Sequence, residues 1–174
     1  MDAVPRVRWA MPIAALTCLA CSAGDRGTLQ PLAADGVTLI STQGLPGDTA
    51  RLAGGGVVAD VTGSWSETNQ TVEVAYRAAR RAVSVPIAAT VSWQGKLSPA
   101  TAAWDRTAPV PGNVYGRPLL EAGKLVLKAG ERRKMVIEFA APEGTAHPTM
   151  DEEIVVAVPM PDGSRPVRFR LGPP

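Results

Sequence analysis

The sequence predicts an all-β chain: an antiparallel sandwich of about seven to nine short strands. Three observations carry that expectation. The chain holds 17 Gly and 16 Pro among its 174 residues, enough punctuation for many turns and few long elements. Several segments alternate apolar and polar residues with a period of two, which gives a strand one buried and one wet face. No stretch shows a convincing helical period, and turn signals separate the alternating runs.

The N-terminus stands apart. Arg6 and Arg8 form a short positive region, Trp9 to Leu19 is nearly all apolar, and the small residue Ala20 precedes Cys21. That is the layout of a secretory signal. A membrane span needs about 20 apolar residues, and Asp25 and Arg26 stop this run well short of it. Leu19-Ala20-Cys21 resembles the lipobox that ends the signals of bacterial lipoproteins. Cys18 departs from that pattern, because the family prefers an aliphatic residue there. The resemblance implies that residues 1–20 are removed and that Cys21 becomes the first residue, lipidated on its sulfur and amine. One acyl chain anchors only marginally, whereas several hold firmly. Ser22 after the cysteine implies, by the family's sorting habit, the periplasmic face of the outer membrane. Residues 21–35 then read as a lipidated cysteine and flexible tether, and residues 36–174 as the domain.

Within the domain, Gly36 to Thr42 is the first expected strand, and Leu45-Pro46-Gly47-Asp48 is a turn. Gly54-Gly55-Gly56 lacks the Lys-Ser/Thr ending of a phosphate loop, so it is read as leading into a strand over Val57 to Val61. Val72, Val74 and Tyr76 oppose Glu73, Ala75 and Arg77. Val83, Val85, Ile87, Ala89, Val91 and Trp93 share one parity, but Pro86 lies inside the run and marks an edge, a bulge or a break. Gln94-Gly95-Lys96 turns the chain. Ser98 to Gly123 loses regularity, with Ala100 to Trp104 a candidate hidden strand. Leu119 to Leu127 resumes extended structure, and Met135, Ile137 and Phe139 alternate with Lys134, Val136 and Glu138. Glu153 to Val158 forms the next strand, Pro161-Asp162-Gly163 is a hairpin signal, and Val167, Phe169 and Leu171 oppose Arg168 and Arg170. From Val72 onward this order resembles immunoglobulin-like envelope domains: an alternating strand, a basic turn, a second apolar strand, then the Ala129-Gly130-Glu131 turn into another strand. Such sandwiches host many functions.

Charge narrows the classes. Loss of Arg6, Arg8 and Asp2 with the signal leaves 16 basic and 15 acidic side chains of the chain's 18 and 16. That balance argues against a nucleic-acid partner. No cysteine follows Cys21, so the domain relies on its core rather than on disulfides. His147 is the single histidine and has no second histidine for a zinc site or a triad. Asp151-Glu152-Glu153 lacks the spacing of a calcium loop. No serine stands in a Gly-x-Ser-x-Gly elbow. No catalytic residue, metal site or cofactor is therefore expected. Two constellations remain. Trp104 and Tyr115, in the Pro/Gly-rich segment, suit a ligand or partner contact, or a plug at the open end of the fold. Arg77, Arg168 and Arg170 face water on their strands and, if those strands are neighbours, form a stripe for an anionic surface. The expected object is a lipid-anchored, non-catalytic envelope module that contacts the membrane through Cys21 and another envelope protein through its domain. The alternative is a small-ligand or carbohydrate binder using residues 98–123.

Overall fold

A computed structural model of the chain describes residues 27–42, 44–66, 69–108, 110–145 and 148–172. The signal segment, Cys21 and His147 lie outside the described residues. Those described form thirteen strands and no helix. They are β1 (Gly27–Pro31), β2 (Thr38–Ile40), β3 (Thr49–Gly54), β4 (Val57–Trp65), β5 (Asn69–Ala78), β6 (Val83–Pro86) and β7 (Thr90–Trp93). After them come β8 (Lys96–Asp105), β9 (Arg117–Pro118), β10 (Lys124–Leu127), β11 (Arg132–Ala140), β12 (Ile154–Val158) and β13 (Arg165–Leu171). Every pairing between these strands is antiparallel.

The all-β expectation holds, but the two-layer sandwich does not describe the main sheet. Eight strands run β1-β13-β12-β7-β8-β11-β5-β4, and β4 pairs back to β1, so the sheet closes on itself as a barrel. Alternation specifies which side of each strand is buried. That inward set serves two facing sheets or one ring equally well, so the period cannot separate them.

Closure falls to β1, in the segment expected to be a flexible tether. Leu29 pairs with Leu171 on β13 and with Gly63 on β4. Leu29 is 2% exposed and Pro31 is buried. A five-residue strand with two inward side chains shows too little of a period to stand out from the polar residues around it. Gly63 makes the seam possible: a Cβ there would lie 2.9 Å from the Leu29 Cβ and Cδ1 atoms. The edge of β4 is thus shared. Its first part pairs with β3 and its last three residues pair with β1, so β3 and β2 leave the wall as a flap. The Gly run is the β3–β4 hairpin. Gly54 ends β3, and Gly55 and Gly56 form the turn with φ of 56° and 85°. Two positive φ values in a two-residue loop match the right-handed twist of the strands and favour glycine. β3 itself is not evident in the sequence pattern.

The interior is filled. Val57, Ala59 and Val61 of β4, Val72, Val74 and Tyr76 of β5, Met135, Ile137 and Phe139 of β11, and Val167 and Phe169 of β13 are all buried. An eight-stranded barrel is just wide enough for its own side chains to pack it. Pro86 breaks its apolar run as expected. Val83–Pro86 leaves the ring and pairs with β10, and this two-stranded sheet buries Val85, Leu125 and Leu127 over the end of the barrel where β5 finishes. The opposite end holds Trp65, Trp93 and Gln70. Charged side chains such as Glu73, Arg77 and Lys134 lie outward, so the apolar side is the inside, the inverse of a membrane-spanning barrel.

Candidate functional site

The outer wall of β8, β11 and β5 carries the site residues. Outward positions line up across the strands: Val136 of β11 stands opposite Trp104 of β8 on one side and Glu73 of β5 on the other. The sequence places Trp104 at the end of a candidate strand, Ala100 to Trp104, within an irregular segment. In the fold that strand is the second half of β8, which runs from Lys96 to Asp105 and takes up the start of the segment. Its ring is half-buried on the outer face rather than set in the core.

Residues 106–108 and 110–118 fold back over that ring. Gly116 lies at φ 102°, and a Cβ there would collide with the Asp105 carbonyl oxygen, so only glycine allows the return. Pro118 then pairs with Trp104 and Arg117 with Asp105 as β9 joins β8. The Tyr115 amide donates to Asn113 Oδ1 at 2.9 Å, and the Tyr115 ring settles 5.5 Å from that of Trp104, tilted by 30°. The sequence-predicted aromatic pair is therefore brought together. Tyr115 remains 55% exposed and Val114 83% exposed, an apolar tip on a polar wall.

The base of this lobe is pinned. Asp105 is 3% exposed, and its carboxylate accepts from Arg133 Nη1 at 2.8 Å and from the Thr107 amide at 3.0 Å. The Arg106 amide donates to the Lys134 carbonyl and the Lys134 amide to Thr107 Oγ1, which tie the lobe to β11. Arg133 also meets Glu131 at 2.9 Å. The Lys128 amide donating to its Oε2, with Arg133 beside it, holds the Glu131 carboxyl below its ordinary range.

The arginines are not brought together. Arg168 and Arg170 lie on β13 and both face Glu153, Arg168 in a close ion pair and Arg170 at 3.6 Å. Arg77 lies on β5, and β1 and β4 separate it from β13 around the wall. The three do not form one stripe. The acids at 151–153 divide in the same way. Glu152 accepts from Gln94 Nε2 and the Thr149 amide, while Glu153 serves β13. Among the described residues no group of three metal-ligating side chains converges.

Two depressions on this wall have no signal in the sequence. One, of about 520 Å³, lies between the β2–β3 loop and the outer face of β4 and β5, with Leu45, Thr62, Ser64, Thr71 and Glu73 among its walls. The other, of about 390 Å³, lies toward the β6–β10 cap and is lined by Arg51, Arg77, Arg132 and Lys134 around Ala75. The Lys134–Glu73 ion pair, at 2.6 Å, stands between them. Both depend on which outward residues meet across strands, and registers are not readable from one chain. In comparisons with known proteins, no protein family, curated protein or solved structure matches this chain.

Proposed function

We propose that this chain is an exported, lipid-anchored envelope protein that acts by contact rather than catalysis, presenting its barrel wall to another envelope protein. The observation that carries the contact reading is the Trp104–Tyr115 pair. Its lobe is fixed at both ends, and it holds Tyr115 and Val114 out to solvent. A rigid aromatic anchor on a polar surface costs little entropy to immobilise and suits the centre of a protein interface. The packed barrel interior leaves binding to the outside. The anchoring half of the proposal rests on the Cys21 segment alone.

Photo-crosslinking in native membranes tests the contact. A crosslinker at Tyr115 should give one dominant protein adduct, and one at Arg170, on β13, should not. Equal adducts at both positions, or none at Tyr115, would end the reading. A carbohydrate or other small ligand is the second reading, favoured by the 520 Å³ groove whose wall includes Val136, the cross-strand neighbour of Trp104. Glycan binding by the intact protein that Trp104→Ala abolishes would select it.

A further inference from the structure

The depression around Ala75 carries an inference beyond the aromatic contact. Arg77 on β5 and Arg132 on β11 are direct cross-strand partners on the outer face. Like charges placed directly opposite are unfavourable. Most cations near them have acids of their own. Arg51 is held by Asp60 through Nε–Oδ1 at 2.6 Å and Nη2–Oδ2 at 2.8 Å, and Lys134 by Glu73 at 2.6 Å. Arg77 and Arg132 make no ion pair or side-chain hydrogen bond among the described residues. Between them and Arg51 the small side chain of Ala75, opposite both Asp60 and Lys134, leaves a floor. The result is a cavity of about 390 Å³ with two guanidinium groups lacking acid partners at its rim.

We propose that this depression binds a phosphoryl group. Two adjacent guanidinium forks offer more donors and charge than one carboxylate can use. A tetrahedral dianion accepts from both and turns their repulsion into shared attraction. The Arg51–Asp60 and Lys134–Glu73 pairs keep the surrounding positive side chains in place, and Thr107 adds a hydroxyl at the edge. The phosphoryl group could belong to a dissolved phosphate compound or to a lipid headgroup, since the same oxygens meet the same forks. The inference does not depend on the proposed contact at Tyr115.

The test uses the full-length protein, its Arg77→Gln/Arg132→Gln double variant and an Arg168→Gln/Arg170→Gln control. Inorganic phosphate, acetate and vesicles of phosphatidylcholine with or without phosphatidic acid are the probes. In phosphate-free, low-salt buffer the Arg77/Arg132 variant should melt above the wild type, because a repulsion has been removed. Phosphate should raise the wild-type melting temperature saturably and shift the Arg77 and Arg132 side-chain resonances, while acetate should do neither. The Arg77/Arg132 variant should bind phosphate about tenfold or more weakly, and the control variant should bind as the wild type does. Saturable binding of inorganic phosphate identifies a dissolved source. Binding to phosphatidic acid vesicles in excess of binding to pure phosphatidylcholine vesicles, without a response to inorganic phosphate, the excess lost in the Arg77/Arg132 variant and kept in the control, identifies a headgroup. No response to phosphate or to the doped vesicles, or an equal response in the Arg77/Arg132 variant, overturns the proposal.

Discussion

Single side chains at the ends of the barrel have consequences that can be measured. Tyr76 is 1% exposed, and its hydroxyl donates to the Pro159 carbonyl at 2.8 Å. Burial pushes its phenol well above the ordinary value of 10.0. The folded state therefore keeps the neutral form, while the unfolded chain ionises once the pH passes that ordinary value. The stability contribution is complete below pH 10 and is lost as the pH rises beyond it. Tyr76→Phe should cost about 1 kcal/mol at neutral pH and should flatten the alkaline decline, read from urea midpoints on either side of pH 10. Gln70 offers the opposite case. Its Oε1 is buried with no donor among the described residues. Gln70→Met keeps the volume and removes the orphan, and should raise the unfolding free energy by about 1 kcal/mol. A loss of stability instead would show that a bound water satisfies that oxygen.

At the scale of elements, the lobe over Trp104 and the seam strand are the two places where a small change travels far. Gly116→Ala should unseat residues 110–118 and part the Tyr115 ring from Trp104 while the barrel stays folded. Loss of the Trp104 ring-current shifts on Tyr115, with the β4 and β5 amides still protected from exchange, is the expected signature. Leu29→Ala should cost about 3 kcal/mol, because Leu29 fills the space that Gly63 leaves, and the β1 amides should exchange first. β5, β11, β12 and β13 are legible in the sequence, because each carries several inward apolar residues at a spacing of two. β1 is not, having two buried residues in five. β3 is hidden because its burial does not alternate cleanly, and β8 is legible only in its second half, the candidate strand Ala100 to Trp104, because Pro99 interrupts the first.

For the molecule as a whole, the choice between sandwich and barrel turns on one strand pairing, β1 with β4 from Gly27–Trp65 to Leu29–Gly63, made between residues too far apart in sequence for any period to link. The site follows the same logic. Trp104 and Tyr115 can be nominated as large aromatics in one segment, but the cationic depression needs the register that sets Arg77 against Arg132. The acid that answers Arg168 and Arg170 likewise comes from beside the neighbouring strand, as Glu153. Anchoring is the whole-molecule prediction. Cys21→Ser should move the protein out of the membrane fraction or leave its signal uncleaved, and intact mass should show acyl chains on the wild type alone. A wild type without acyl mass, sedimenting with membranes as the mutant does, would remove the lipid from the proposal.

The seam strand also sets how the domain meets mechanical load. A pull transmitted through the residues before Gly27 arrives first at β1. That strand is clasped on both sides, by β13 and by β4, so a pull along its axis shears both sets of backbone bonds together instead of peeling them one at a time. Yielding there would open the ring at its seam. The strand that makes the barrel is thus its mechanical fuse. The domain pulled through Gly27 should rupture in one step, at higher force than when pulled at the flap strand β2, which is held along a single edge.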